Sequence, residues 1–600
     1  MNNLHFSQMV TVQAKKYGDK TVLYSRKKTT ESWNELSWND FEKQVFVAAK
    51  AIYELGISEH QRVGQFSQNM AENLIVDFAL FANRAVMVPF YATSSVSQVE
   101  FIVNDAQIDV MFVGEQLQYD IALEVMNNTP VLKKIIVFDD SVQLNGNANA
   151  MYFKDFMSIG TKSTKHFEVV TRQDEATEND LACILYTSGT TGNPKGVMMP
   201  HSCFLEAMRI HDIRLTSVTD NDISVAFLPL SHVFERTWCY FCIYKGVSIY
   251  INFKPLDIQE TIKDVRPTLM CAVPRFWEKV YAGVQENISK MTPSKQGIVT
   301  WALAVGKHHN IDYLRVGKTP GLLLKLKYKI ADKLIFSKVK NTIGIENANL
   351  LPTAGAKLSD EIAMFMRSIG VPITYGYGLT ESTATVCCYD YVDYEIGTVG
   401  SIMPSVYVKI GEENEILLKG KTIFPGYYKN PEATKEAFTE DGWFRSGDAG
   451  YIKDNKIVLT ERIKDLFKTS NGKYIAPQAI ETRLSLDKYI EQIAVIGDER
   501  NFVSAIIAPS IPAIEEFAVK NKIKYDSLDE LIAHSAVYAL IEGRINELQK
   551  GMANYEQIKK FVLIKKGFSI ETGELTNTLK TRRAVVMQKY KSQIDAMYNS

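Results

Sequence analysis

Short apolar runs alternate with longer amphipathic stretches through the first half of the chain. RVGQFS (62–67), AVMVPF (85–90), DVMFVG (109–114), KIIVFDD (134–140), LACILY (181–186), VSIYI (247–251) and LMCAVP (269–274) read as strands. Between several of them lie segments such as FEKQVFVAAKAIYELG (41–56), in which apolar residues recur at helical spacing. The alternation predicts an α/β domain of parallel sheets covered by helices. From about 395 to 428 the texture changes, and VYVKI and EILLKG, split by GEEN, predict a small antiparallel β unit. A second unit starts near 467, with QIAVIGD and FVSAIIAPS as a hairpin-like pair, helices from 511 to 560, and then KKFVLIKK.

Residues 284 to 348 read as mostly helical, and 322–344 mixes Leu, Ile and Phe with six lysines. This predicts an amphipathic helix on the domain surface; a patch lying on acidic membrane is the sharper alternative. With 600 residues the chain is too long for one core, so two or more domains are expected. Its 68 basic and 69 acidic residues give a net charge of -1, which gives no reason to expect nucleic acid as the main partner. Seven cysteines, all between Cys183 and Cys388, form no disulfide framework. Cys239 and Cys242 read as reduced core thiols. The first residues lack the order of a signal peptide, and even LIVDFALFANRAVMVPFYA carries Asp77 and Arg84. A cytoplasmic protein is expected, with peripheral contact at the inner face of a membrane left open. Nothing in the sequence speaks to oligomeric state.

The chemistry concentrates in a few places. ILYTSGTTGNPKGVMMPH (184–201) packs Thr187, Ser188, Gly189, Thr190, Thr191, Gly192, Lys195 and Gly196 into ten positions after a buried strand. A surface loop is the bland reading; a loop that wraps phosphate is the sharper one. The Walker spacing fails, because Lys195 follows Pro194 and precedes Gly196. LPTAGAKLSDEI (351–362) is a small-residue turn before a helix. ITYGYGLTES (373–382) sets glycines beside tyrosines, a slot for a purine ring, and follows them with Thr380 and Glu381, suited to phosphate and Mg²⁺. DGWFRSGDAGYI (441–452) offers Asp448, a turn former or a ribose ligand. ERIKDLFKTSNGKYIAPQAIE (461–481) clusters Arg462, Lys464, Asp465 and Lys468, and ETGELTNTLKTRRAVV (571–586) carries Lys580.

In this order and at these separations the motifs closely resemble those of the adenylate-forming superfamily, over roughly residues 20 to 590. LPLSHVFERT (228–237), VPRFWEKVY (273–281), KTSNGKYIAPQAIE (468–481) and the helical insertion before YEQIKKFVLI (555–564) look like the bacterial long-chain fatty acyl-CoA synthetase branch. The resemblance implies a large AMP-binding domain (1–460) of αβαβα-type sheets with a small β-barrel-like unit. It also implies a hinge linker (461–466) and a small mobile α+β lid (467–600). By resemblance, Thr187 to Lys195 hold the β- and γ-phosphates, and Ala354, Gly355, Ala356 and Tyr377, with Gly378, enclose adenine. Thr380 contacts the α-phosphate, Glu381 binds Mg²⁺, and Asp448 and Arg462 hold the ribose. Lys580 reaches the reacting carboxylate, His232 borders the acyl site, Lys464 is the hinge, and Lys468 and the Gly472 loop serve the coenzyme A step. One departure is Asn577, which stands where relatives commonly have proline.

The implied reaction joins a fatty acid to coenzyme A at the expense of ATP, through an acyl-adenylate. ATP, Mg²⁺ and coenzyme A are therefore the expected ligands. Two rival functions are kept: an acyl-adenylate ligase feeding a carrier protein, and a non-catalytic nucleotide- or lipid-binding protein of this fold.

Overall fold

Parallel pairing dominates two sheets of the large lobe in the computed structural model, which describes residues 5–187, 194–576 and 580–599. The seven-stranded sheet runs Ala150–Tyr152, Lys134–Val137, Val110–Val113, Arg62–Phe66, Val86–Phe90, Leu181–Thr187, Lys195–Pro200. All its neighbours are parallel except the last pair. The five-stranded sheet runs Leu269–Met270, Ile223–Ala226, Ser248–Asn252, Thr21–Arg26, Asn34–Ser37. Inner strands such as Val86–Phe90 are buried at every position, which is why their sequences are near-continuous apolar runs rather than alternating ones. Helices Trp38–Glu54, Ala71–Ala82 and Val233–Lys245 share one apolar core with these sheets.

LMCAVP contributes only Leu269–Met270 to its sheet, because Pro274 opens the helix Pro274–Ser289. Tyr407–Ile410 and Glu415–Lys419 pair antiparallel, as the sequence suggests. The unit they belong to is not separate: its strands continue one eight-stranded sheet from Leu351–Thr353 and Ile373–Tyr377 through to Lys456–Arg462 and Phe444–Lys453. Cys239 and Cys242 are buried free thiols on the helix Val233–Lys245.

Beyond Arg462 the chain makes one short turn, Ile463–Asp465, and enters the small lobe. Ile490–Ile496 pairs antiparallel with Val503–Pro509, which pairs parallel with Ile558–Leu563. Helices pack on both faces of this sheet and form two small cores. The lobes touch where the Arg275 guanidinium donates to the Glu491 carbonyl at 2.7 Å. Among the described residues no helix is long and apolar enough to cross a membrane.

Candidate active site

Antiparallel register sets the first pair of functional side chains side by side. Asp448 and Arg462 are direct partners across strands Phe444–Lys453 and Lys456–Arg462. Arg462 Nε donates to Asp448 Oδ1 at 3.1 Å, and Tyr377 Oη donates to Asp448 Oδ2 at 2.6 Å. Burial, then the Asp448 carboxylate, pushes the Tyr377 hydroxyl well up, so it remains a donor. Burial alone would lower the Arg462 guanidinium, but Asp448 and Asp465 outweigh it and the net shift is upward. A carboxylate held on both oxygens in this way is fixed in one orientation.

Glu381 is presented by a tight turn that sequence reading placed but could not shape. Gly378 is required there, since a β-carbon would meet the Ala384 carbonyl carbon at 2.3 Å. Thr380–Ser382 forms one short helical turn, after which Thr383 and Ala384 both take left-handed φ, at 54° and 56°. Residues with a β-carbon rarely adopt that conformation away from constrained sites. The Thr383 hydroxyl donates to the Thr422 carbonyl at 2.7 Å and fastens the turn.

Tyr427 is a site residue that sequence reading missed. Its hydroxyl donates to Glu381 Oε1 at 2.9 Å, and Lys195 Nζ stands 5.1 Å from the centre of its ring. Segment 426–428 clips onto the strand Lys195–Pro200 through Met198 N–H to Gly426 O (3.2 Å) and Tyr428 N–H to Gly196 O (2.7 Å). Thr187 and Lys195, which flank the hydroxyl-rich segment in sequence, are cross-strand partners. The sequence-predicted Ser188, Gly189, Thr190, Thr191 and Gly192, and Asn577 in the last motif, lie outside the described residues.

Tyr427→Phe removes one hydrogen bond from Glu381 and keeps the ring. It should raise the Mg²⁺ concentration giving half-maximal activity several-fold, with the turnover at saturation falling less than about tenfold. An unchanged magnesium titration would show that Tyr427 does not tune Glu381.

Ala354, Gly355 and Ala356 follow the strand Leu351–Thr353, with Gly355 and Ala356 exposed. The Tyr375 hydroxyl donates to the Ala356 carbonyl at 3.1 Å and steadies that turn. A narrow cavity beside it is lined by Ala354, Tyr377, Phe234, Thr237, Trp238 and His211, among others. Trp238 is also a packing residue, its indole donating to Ser224 Oγ at 3.0 Å. His232 caps the helix Val233–Lys245, its Nδ1 accepting from the Phe234 N–H at 3.2 Å. Burial, reinforced by Lys580, lowers its pKa to about 4, so it is neutral near pH 7. With Nδ1 an acceptor, the ring proton sits on Nε2, leaving one donor.

Lys580 comes from the small lobe into this cleft. Its surface stays open to solvent, yet protein crowds it closely enough that the burden of desolvation, with Arg462, lowers it to about 8 against the pull of Asp448, Asp465 and Glu381. Thr576 and Lys580 are paired by Thr576 N–H to Lys580 O at 2.8 Å and Lys580 N–H to Thr576 Oγ1 at 3.0 Å. The neighbouring lysines are engaged elsewhere: Lys589 pairs with the buried Glu574, and Lys591 with Asp595 at 2.5 Å. Lys468 and Gly472 sit on the hairpin of Phe467–Lys468 and Tyr474–Ile475, Gly472 at φ 76°. Among the described residues neither hydrogen-bonds to Asp448, Arg462 or Lys580. Lys464 lies in the turn joining the lobes.

Single carboxylates suit Mg²⁺ when a nucleotide supplies the remaining oxygens. Glu381 fits that role, since Tyr427 occupies only one of its oxygens. No cluster of three or more metal-ligating side chains occurs among the described residues.

The family described as AMP-binding enzyme matches residues 10–428, and its C-terminal domain matches 464–600. The long-chain-fatty-acid--CoA ligase FadD15 of Mycobacterium bovis is 31% identical over 571 residues, covering 94% of this chain and 93% of that protein. The long chain acyl-CoA synthetase 3 of Arabidopsis thaliana is 29% identical, covering 94% and 86%. In fold, the chain is similar to the adenylation domain of a carboxylate reductase from Mycobacterium chelonae, with TM-score 0.77 at 22% identity, covering 100% of this chain and 92% of that one. The chain belongs to the AMP-forming, adenylate-forming enzymes, on the branch that includes the long-chain fatty acyl-CoA ligases.

Proposed function

We propose that this enzyme ligates a fatty acid, long-chain by the names of its relatives, to coenzyme A through an acyl-adenylate. The observation that carries the reading is Lys580, a small-lobe ammonium standing in the field of Asp448, Glu381 and Arg462 of the large lobe. A carboxylate has no adequate leaving group of its own. Its oxygen attacks the α-phosphorus of ATP, the bond to the β-phosphate oxygen breaks, and pyrophosphate leaves. The attack brings negative oxygens together, so catalysis consists of positioning and of fixed positive charge.

Asp448, held by Tyr377 and Arg462, accepts from the ribose hydroxyls. Tyr377 and the Ala354–Gly355–Ala356 turn flank the base, and Thr380 faces the α-phosphate. Lys195 and the loop from Thr187 cradle the departing phosphates. In this reading His232 Nε2–H donates to the acyl carboxylate. A magnesium ion held by Glu381 and the phosphate oxygens would neutralise charge on the leaving pyrophosphate. In the second half the thiol of coenzyme A attacks the acyl carbon, AMP departs and the thiol proton goes to solvent. Lys580 must withdraw for this, and we propose rotation of 467–600 against 1–460 about 461–466, with Lys464 as pivot, bringing Lys468 and the Gly472 loop to the thiol path.

The test is AMP release across a panel of fatty acids, with and without coenzyme A. Multiple turnovers only with coenzyme A, and best with long chains, are expected. Turnover with a carrier protein instead, or no AMP from any acid, would overturn the reading.

A further inference from the structure

The lysine-rich segment 322–344 has two apolar faces, and only one is used by the fold. Leu324, Tyr328, Ala331, Ile335 and Val339 recur at helical spacing and pack against the large core. Leu322, Leu326, Ile330 and Leu334 form a second row, four residues apart, that faces solvent. With Leu323 beside them, they are 42 to 87% exposed. The π-type turns at Asp332–Phe336 follow the helix Leu322–Ala331 without a break and carry the row onward to Leu334. Single exposed leucines are ordinary, but a contiguous row of them is not.

Charge says what the row would meet. Lys325, Lys329 and Lys333 form a parallel row, each one residue before a member of the apolar row, and Lys338 continues the apolar row at the same spacing. From 318 to 344 the chain has seven lysines and one acidic residue, Asp332. Among the described residues only Lys340 of these lysines has an ion-pair partner, Asp332 at 3.2 Å. An apolar strip edged by free ammonium groups is complementary to acyl chains beneath anionic headgroups, the lysines reaching up to the phosphates. A second copy of this chain is a poor match, because a two-fold contact would oppose lysine row to lysine row.

We infer that the outer face of 322–338 docks the enzyme on an anionic lipid bilayer, lying on it rather than crossing it. Such docking would let the enzyme take an acid that is itself dissolved in the membrane. The clause about the acid rests on the proposed reaction; the docking does not, since binding can be measured without substrate.

The test is flotation of the full-length protein with vesicles of phosphatidylcholine alone, or with about 30% phosphatidylglycerol, at about 0.15 M salt. Binding to the anionic vesicles alone, weakening as salt rises, is expected. Leu326→Glu/Ile330→Glu should abolish it, while Lys325→Glu/Lys329→Glu/Lys333→Glu should weaken it by at least roughly 100-fold, at about fivefold per lysine. Both variants should bind ATP with unchanged affinity by calorimetry, which shows that the fold is intact. Failure of the wild-type protein to float with anionic vesicles overturns the inference, as does equal flotation of the variants. Sedimentation showing a dimer that the leucine variant dissociates would assign the face to a second copy instead.

Discussion

Lys580→Ala should slow acyl-adenylate formation by roughly 100- to 1,000-fold, the usual cost of losing one preorganised charge contact to a transition state. Conversion of supplied acyl-adenylate to thioester should stay within a few-fold of wild type, because in the proposed cycle that step needs the lysine out of the cleft. Pyrophosphate exchange measures the first step and thioester formation from synthetic adenylate the second; equal loss of both would contradict the division of labour. The pH dependence carries the same information. In the proposed mechanism the active form is the ammonium, which burial lowers to about 8 in the free enzyme. Since kcat/KM reports groups of the free enzyme, kcat/KM for ATP in the exchange assay should hold below that pH and fall up to tenfold per unit above it. Lys580→Arg keeps its charge throughout this range, so whatever activity remains should lose that alkaline limb.

The sequence made the large-lobe strands, the presence of a smaller C-terminal unit and the order of the motifs readable, because each rests on local periodicity or on residues close together in the chain. Asp448 and Arg462 both stand out in their motifs, but their contact depends on antiparallel register, which no spacing specifies. Tyr427 escaped notice for a similar reason. In FPGYYKN it is one of two adjacent tyrosines, and it reaches Glu381 only because segment 426–428 clips onto a strand more than 200 residues earlier. The helix at 322 was recognised as amphipathic; that it has a spare apolar face followed only from seeing which side the core took. In the sequence Asp77 shows only as a charge that interrupts an apolar run.

Asp77 has a larger part, and the second strong prediction concerns its partner. Arg236 is fully buried and pairs with Asp77, which is equally buried. Arg236 also donates to Tyr240 Oη at 3.0 Å, Gln65 Oε1 at 3.2 Å and the Leu230 carbonyl at 2.7 Å, and Tyr240 Oη donates to Asp77 at 2.9 Å. The network ties the strand Arg62–Phe66, the helix Ala71–Ala82 and the helix Val233–Lys245 at a buried point. Removing one member strands a charge, so Arg236→Met should destabilise the large lobe by about 3–5 kcal/mol. Replacing both charges is a different matter: Asp77→Leu/Arg236→Met leaves no orphaned charge and should recover a good part of the loss. Urea unfolding of the two singles and the double, read as the coupling between them, checks this; additive losses would mean that the pair does not act as a unit. The same network holds the Leu230 carbonyl and the start of the helix that carries His232, Phe234, Thr237 and Trp238. Arg236→Met should therefore raise KM for the acid even at temperatures where the protein stays folded, with KM for ATP less affected.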